Sequence, residues 1–600
     1  MKNADYRHEI DGLRALAVGS VILFHLNEFI LPGGFVGVDI FFVISGYLIT
    51  GIVNSSLNER RFSFKRFYQR RIGRIFPLLW FVVLCTILAS WRVYDNQDFA
   101  SVGAGAAFTM ILAANVKMLL LGDYFQIAND TQPLMHVWSL AIEEQFYLIF
   151  PIALFFLHRI SWTKRRLPLI LLLSSILLAT LALILPTKYE SLAFYLLPTR
   201  SWELLAGAFL ATIKHPEKVN PFVANLAVLG LLLSVCFCSS SLKHPGLQTL
   251  VPVVSTVGFI SCVSRNSLAG RLFSTMPLAF VGRISYLLYL WHWPIFSLVD
   301  YAYLLESSSF RTLVKVSLLP IFSIATYLLI EKPFRVGITN CRCVRTVFVG
   351  YIALSTVTAF VGFWIRNANY IECRVSDLER GGIVVGHRDS EIEIALIGDS
   401  HGTMYAREFS AMCTRNHIRG RVLTFNGKDP LPRSGGNQLH DAIIDVLTRN
   451  RPSVAIIAVD WTSQSGADVN SVVAGLRAFG SVSHNLVIPS PIPQLPPSFS
   501  RDAIRANRRI TFQENPEVAN LRTEASKCLF ANATPTTIVI DAAKYFVSDS
   551  EPIRIFDQQG NILYHDHNHL SDEGSKLVIR EMEDAVIRLL GAANDLQGIQ

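Results

Sequence analysis

Charge is scarce in this chain. Acidic and basic residues make up 17% of its 600 residues against 51% hydrophobic, and the mean hydropathy is +0.37, which excludes a soluble multidomain protein. Cysteine is thin too: nine residues with no metal-ligand spacing, so no metal site is expected. Cys236/Cys238 and Cys341/Cys343 are C-x-C pairs in or beside apolar stretches, where isolated thiols act as small hydrophobes. Only Cys373, Cys413 and Cys528 fall in the polar C-terminal part, which leaves room for one disulfide if that part is extracytoplasmic. A small-x-small exit site is missing after the first apolar segment, which carries Arg14 and His25, so this segment is expected to stay as the first helix rather than to be cleaved. The net charge of +8 does not point to nucleic acid, because Lys and Arg cluster between apolar stretches as positive-inside topology requires.

Long apolar runs are what the chain has in abundance. Twelve candidate stretches between residues 10 and 365 approach the ~20 residues needed to cross a bilayer. Arg60, Arg61, Lys65, Arg66, Arg70, Arg71 and Arg74 lie between the second and third, which places that loop and the N-terminus in the cytoplasm. Arg159, Lys164, Arg165 and Arg166 belong inside as well, as do Lys332, Arg335, Arg342 and Arg345. Three candidates (75–91, 99–121 and 137–157) separate the first two of these loops, and two inside loops require an even number. The stretch that fails is 99–121, rich in Gly and Ala and carrying Asn115 and Lys117; it is expected as a re-entrant or interfacial helix on the outer side. Eleven spans then place everything after residue 366 outside.

Arg14 and His25 are eleven residues apart, which at about 100° per residue returns to nearly the same helix face over a rise of ~16 Å. An ionisable residue inside a membrane is costly and marks function by default, although a histidine bonded to a neighbouring helix for packing satisfies the same spacing. An acyl-CoA gives the pair a reason: its phosphates need cations at the cytoplasmic mouth, and its extended arm delivers a thioester down to a histidine. Arg71 and Arg74, at i and i+3, would add a second phosphate clamp, or serve only as topology-determining charge.

Several motifs now coincide. They are Arg14 with ten residues before His25, the run Gly33-Gly34-Phe35-Val36-Gly37-Val38-Asp39 continuing to Ile49, Arg71-x-x-Arg74, Trp138-Ser139-Leu140-Ala141-Ile142-Glu143-Glu144-Gln145-Phe146-Tyr147, and Ser285-Tyr286 through Trp291-His292-Trp293-Pro294. Over about residues 5–335 the chain resembles the acyltransferase-3 family of membrane O-acyltransferases. The resemblance implies a ten-helix domain that takes an acetyl group from cytoplasmic acetyl-CoA, needs the histidine of R-x10-H, here His25, and modifies extracytoplasmic carbohydrate. Ten spans plus one linker span is also the number the loop charges require. Glu143 and Glu144 point about 100° apart, so at most one faces a given cavity; that one could orient a histidine, bind a sugar hydroxyl, or pair with a helix-end cation. Asp39 reads as a buried hydrogen-bond partner and His292 as a satisfied core histidine.

From about residue 385 the pattern changes to short β-branched runs at 392–397, 421–425, 453–459, 485–489 and 536–541, separated by helical stretches and followed by a helix over 574–590. This is a doubly wound α/β sheet, with the Pro- and Arg-rich 491–516 expected as an exposed loop. Ser400 stands at a strand end in Gly398-Asp399-Ser400-His401-Gly402, which fits the nucleophile elbow of α/β-hydrolases as well as a Gly-Asp-Ser block. Asp566, three residues before His569, decides the matter: the domain resembles the SGNH (GDSL-like) esterase and acyltransferase family, whose last block is Asp-x-x-His. The resemblance implies Ser400 as nucleophile, His569 as its base and Asp566 as the group that orients the imidazole. Gly427 is a weak match to the family's oxyanion-hole glycine. The Gly-x-Asn-Asp block is absent; Val459-Asp460-Trp461-Thr462 stands in its place.

Together the resemblances imply a polytopic α-helical membrane domain over 5–335, a linker with an eleventh span over 336–384, and an extracytoplasmic α/β/α SGNH-hydrolase-like domain over 385–595. They imply an O-acetyltransferase of the bacterial inner membrane with a periplasmic C-terminal domain, acetyl-CoA as donor, and a lipid-linked glycan such as lipopolysaccharide O-antigen as acceptor. The triad would equally serve a membrane-anchored carbohydrate esterase, and Arg14 with His25 would equally line the path of a transporter or flippase.

Overall fold

The computed structural model describes residues 6–121, 132–185, 189–213, 220–264, 267–334, 344–432, 436–462, 469–499, 501–506, 511–547 and 552–597; Arg335, Cys341, Arg342 and Cys343 lie outside them. The chain divides into two compact units, Met1–Tyr94 with Ser101–Ile365, and Asp95–Ala100 with Arg366–Gln600.

The first unit is helical. Its main elements are α1 (His8–Leu26), α2 (Gly37–Asn58), α3 (Phe64–Val93), α4 (Val137–Arg159), α5 (Leu197–Leu210) and α6 (Ser285–Ala302). Leu, Ile, Val and Phe dominate these helices, with charged residues such as Arg14, Arg71, Glu143 and Arg200 set singly or in pairs among them, and a helix satisfies its own backbone where no water can. Among the described residues, six helices are long and apolar enough to cross a membrane: Gly34–Asn58, Phe64–Val93, Val137–Arg159, Leu167–Ile184, Ser308–Phe334 and Phe348–Asn369. Leu173, Leu177 and Ile184 stand exposed on one of them, as on a surface that faces lipid. The chain is therefore a multi-pass membrane protein.

Two of the apolar stretches are not single helices, one of them the 99–121 stretch that was not expected to cross. The 99–121 stretch is two short helices, Asn96–Met110 and Ala114–Leu121, broken at Leu112 with φ +59°. The polar residues that argued against a span hold this break together. Gln145 Nε2 donates to Leu112 O at 2.9 Å and to Asn115 Oδ1 at 3.0 Å, Asn115 Nδ2 donates to Tyr195 O at 2.9 Å, and Lys117 Nζ donates to Ser101 O at 3.0 Å. The stretch 277–300, another of the twelve candidates, also divides, into Met276–Arg283 and α6, and Gly282 beside the break packs closely against α1. A Cβ at Gly282 would lie 1.8 Å from Asp11 O. Close backbone approach recurs where α2 crosses α5: a Cβ at Gly46 would lie 1.8 Å from Leu204 O.

The second unit carries a six-stranded sheet in the order β1-β3-β2-β4-β5-β6. Five strands run parallel: β2 (Glu393–Gly398), β3 (Arg419–Thr424), β4 (Val454–Ala458), β5 (Asn485–Pro489) and β6 (Thr537–Ile540). These follow the expected β-branched runs, and β2 is buried along its whole length, as a central parallel strand must be. The four-residue β1 (Ile383–Gly386), antiparallel to β3, was not expected. It is too short and too evenly half-buried to alternate.

One further expectation fails here, and one open possibility is not taken up. The 491–516 segment is not an exposed loop: Ile492, Leu495, Ile504 and Phe512 among its described residues are buried, so apolar side chains set between the prolines hold it to the domain. Leu495 N donates to His567 O at 2.7 Å, which ties the segment to the Asp566–His569 loop. Cys373, Cys413 and Cys528 are all free thiols, so the disulfide is not formed.

Candidate functional site

In the second unit the chain leaves β2 to pair with β3 on one side and then β4 on the other, so the C-terminal end of β2 is the topological switch point where such sheets bind ligands. Ser400 sits there, opening α7 (Ser400–Arg415). Asp399 caps that helix: its Oδ1 accepts from His401 N at 2.8 Å, and its Oδ2 accepts from Asp460 N at 2.8 Å. The flanking glycines answer to packing against β4. A Cβ at Gly398 would lie 2.0 Å from Ala458 O, and one at Gly402 would lie 2.9 Å from it.

Ser400, Asp566 and His569 meet. His569 Nε2 lies 2.8 Å from Ser400 Oγ, and His569 Nδ1 lies 2.8 Å and 3.0 Å from the two oxygens of Asp566. Asp566 Oδ1 also accepts from the backbone N–H groups of Asn568 and His569, each at 2.9 Å, which fixes the carboxylate before any substrate arrives. The carboxylate can only accept, so His569 carries its proton on Nδ1 and turns the Nε2 lone pair to Ser400. Burial pushes the Asp566 carboxyl up, but the hydrogen bond and charge of His569 outweigh it and hold it well below the usual carboxylate range. Burial acts to lower the His569 imidazole; the hydrogen bond and charge of Asp566 win and raise it above its ordinary value.

Two neighbours, His401 and Gln494, were not foreseen. His401 is buried with its ring 5.2 Å from that of His569; its adjacency to Ser400 in the chain was the available signal. Where the Gly-x-Asn-Asp block is missing, Trp461 fills the core and donates to Pro489 O at 3.2 Å, while Asp460, Thr462 and Gln494 form a chain of hydrogen bonds, Gln494 Nε2 reaching Thr462 Oγ1 at 2.6 Å. Gly427 lies in the turn after β3 with φ +65° and open space where a Cβ would be, a left-handed position that favours glycine.

In the first unit Arg14, Arg71 and Arg74 line one cavity together with Ser45, Ser139, Glu143, Tyr147 and Tyr289. Arg14 and the Arg71/Arg74 pair thus share one cavity, whereas His25, expected from the shared helix face to point into the same cavity as Arg14, is not among its lining residues. The Arg71 guanidinium stacks over the Tyr147 ring at 3.9 Å, which goes beyond a topology charge. Glu143 faces the cavity, its Oε2 accepting from Tyr147 Oη at 2.7 Å and Ser45 Oγ at 3.1 Å. Glu144 is not among the lining residues and lies 4.0 Å from Arg71 Nε. Neither carboxylate is hydrogen-bonded to a histidine among the described residues.

His25 is not in the cavity lining either. Tyr289 is, and its ring lies 5.2 Å from that of His292, whose Nε2 is 3.1 Å from His25 Nδ1. Side-chain contacts through Tyr289 and His292 thus connect the cavity wall to His25. Asp39 is wholly buried elsewhere, accepting from Arg200 Nη2 at 2.6 Å within a cluster that adds Glu203 and His244. Arg200 and Glu203 lay in an expected span and drew no attention as a pair.

Comparison with known proteins agrees on both units. Residues 7–332 match the acyltransferase domain model and residues 372–584 match that of the SGNH domain fused to such domains. A putative peptidoglycan O-acetyltransferase of Bacillus subtilis, YrhL, is 34% identical over 353 residues, covering 54% of this chain and 54% of its own length. The peptidoglycan O-acetyltransferase OatA of Listeria monocytogenes is 31% identical over 353 residues, 55% and 56% of the two chains. The O-acetyltransferase OatA of Staphylococcus aureus is 31% identical over 355 residues, 56% and 58%. The chain spans about half the length of the curated relatives it matches.

Proposed function

Because the chain belongs to the membrane acyltransferase family, with an SGNH domain behind the acyltransferase domain, we propose that it O-acetylates a cell-surface polysaccharide. The donor is cytoplasmic acetyl-CoA. Its phosphates are held by Arg14, Arg71 and Arg74, and His25 assists removal of the acetyl group. The single observation that carries the reading is the coexistence of a hydrogen-bonded Ser400–His569–Asp566 triad in one unit with a three-arginine cavity in the other.

The chemistry of the outer step follows from the triad. Ser400 Oγ attacks the acetyl carbonyl while His569 Nε2 takes the hydroxyl proton; the oxyanion is met by backbone N–H groups such as that of Ser400, with Gly427 as the candidate second donor. Collapse breaks the bond between the acetyl group and the oxygen that brought it to the triad, that oxygen leaves with the proton from His569, and acetyl-Ser400 remains. A sugar hydroxyl then repeats the sequence in reverse order, giving its proton to His569 and taking the acetyl group, and Ser400 regains its hydroxyl.

The protein resides in a bacterial inner membrane with the triad on the periplasmic side. The acceptor is a lipid-linked glycan, either the lipopolysaccharide O-antigen implied by the domain arrangement or the peptidoglycan named for two relatives. Mass and NMR analysis of both glycans from cells with and without the protein, and with Ser400→Ala, tests the reading. Loss of acetyl groups from one glycan is expected and identifies the acceptor. Donor-independent removal of acetyl groups would make the protein an esterase, and unchanged glycans would sink the proposal.

A further inference from the structure

Three histidines from three parts of the first unit meet beyond the arginine cavity. His25 comes from α1 and His292 from α6, with rings stacked at 5.2 Å and 20° between planes; His136, just before α4, lies edge-on to His292 at 5.1 Å. The Trp293 ring, 4.6 Å from His25, closes the other side. His292 is fully buried, and its Nδ1 lies 2.6 Å from the backbone oxygen of Tyr289.

The hydrogen-bond count in this chain of groups has one solution for neutral rings. A carbonyl oxygen only accepts, so His292 Nδ1 carries the proton and donates. A neutral imidazole has one N–H, so His292 Nε2 bears a lone pair and accepts. Its partner at 3.1 Å is His25 Nδ1, which must then be the donor. The same count leaves the lone pair of His25 on Nε2.

We propose that His292 is a positioning residue that fixes His25 in the Nδ1–H tautomer, so that His25 Nε2 is the basic atom in removal of the acyl group. The proposal rests on the transferase reading above and adds to it the residue through which His25 is oriented. His25 Nε2 takes the proton of the hydroxyl that attacks the acetyl-CoA carbonyl, an ester bond forms as the C–S bond breaks, and the departing coenzyme A thiolate takes that proton in turn. The imidazolium formed between the two steps keeps its Nδ1–H on His292 Nε2. No proton passes to His292, which remains neutral with its own N–H on Tyr289 O. A carboxylate in this place would orient the ring equally well but would have to be buried as a charge whenever His25 is neutral. An imidazole acceptor avoids that cost.

The test uses the full-length protein in membranes with acetyl-CoA as donor. His292→Phe removes the acceptor, and His292→Gln keeps one in its side-chain oxygen. A misoriented or wrong-tautomer histidine costs roughly 10²- to 10⁴-fold in turnover, so His292→Phe is expected to lose at least about a hundredfold in kcat with KM for acetyl-CoA within twofold. His292→Gln is expected to recover to within about tenfold of wild type. Equal impairment of the two variants, near-wild-type turnover of His292→Phe, or an effect confined to KM would overturn the proposal. His25→Ala separates it from the reading beneath: if His25→Ala keeps transfer, both fail, and if His25→Ala abolishes transfer while His292→Phe does not, only the role of His292 fails. Nitrogen-15 NMR of histidine-labelled wild-type protein gives a readout that does not depend on any variant folding. It should show His25 protonated at Nδ1; a neutral His25 protonated at Nε2 would refute the assignment.

Discussion

On the proposed mechanism each unit has a basic histidine whose Nδ1 lies against a partner, and the partners differ as their surroundings do. His569 leans on Asp566, a carboxylate partly open to water and supplied with two backbone N–H groups, where a standing negative charge is tolerable. His25 leans on His292, a wholly buried neutral ring whose own proton is pinned by a carbonyl. One geometric task, fixing a tautomer, would thus be met with a charge where solvent can share it and without one where the partner is wholly buried. The comparison teaches that the partner's chemistry is set by the medium rather than by the reaction.

Removing either end of the outer triad tests its half of the comparison most severely. Ser400→Ala and His569→Ala should each cost at least ~10³ in turnover, and the double variant little more, since the residues act as a unit. Acetyl transfer by the full-length protein, with acetyl-CoA binding measured in parallel and expected to persist, checks this. If the single losses multiplied in the double variant, Ser400 and His569 would be acting separately.

Asp566→Asn should cost about ten- to a hundredfold less than loss of Ser400, because it disturbs the orientation of His569 without removing the nucleophile. Its sharper signature is in pH. His569 works as a base when neutral, and Asp566 raises its pKa above the ordinary value, so wild-type activity climbs with pH through that raised value. Without the carboxylate the climb moves to lower pH. A kcat/KM profile that stays put would show that Asp566 does not tune His569. The all-imidazole pair in the membrane has no such carboxylate to lose.

Arg14→Ala addresses the membrane unit alone. Taking one guanidinium away from the donor's phosphates should raise KM for acetyl-CoA about tenfold, in line with 1.4 kcal/mol per decade, and leave hydrolysis of a simple acetyl ester by the triad unchanged. Impaired ester hydrolysis would mean that the two sites are not separable. The smallest effect is expected at Gly427: alanine meets no neighbour there, so only the φ of +65° is penalised, by about 1 to 2 kcal/mol. Thermal unfolding should register a drop of a few degrees, and a much larger one would reveal a neighbour that the open space does not suggest.

How much of this could be read beforehand depended on how near the partners lie along the chain. Asp566 and His569 are three residues apart, and Arg14 and His25 share one helix, so helical geometry and short motifs exposed them. Ser400 declared itself by its glycines, whose purpose, clearance for Ala458, required the sheet. His292 looked like a satisfied core histidine because its partner is on another helix 267 residues away. The 99–121 stretch, already excluded as a span by Asn115 and Lys117, divides at Leu112, whereas 277–300 kept its apolar composition and still divided beside the close approach of Gly282 to α1, which hydropathy does not register. The 491–516 segment was misread for a related reason: prolines dominate its composition, yet Ile492, Leu495, Ile504 and Phe512 decide where it lies.

The cluster of Asp39, Arg200, Glu203 and His244 bears on how the protein is made. Asp39 belongs to α2, Arg200 and Glu203 to α5, and none of the three is exposed in the finished fold. An arginine or aspartate alone near the middle of a span costs about 2.5 to 3.5 kcal/mol to insert. α5, with 14 residues and two charges, is therefore a poor passenger by itself. It becomes acceptable to lipid once Asp39 is there to receive Arg200, and α2 is synthesised first. The ion pair acts as a ticket checked during biogenesis: Asp39→Ala should leave α5 stranded at the translocon, exposed to quality-control proteases before any acyl group has been offered to the enzyme.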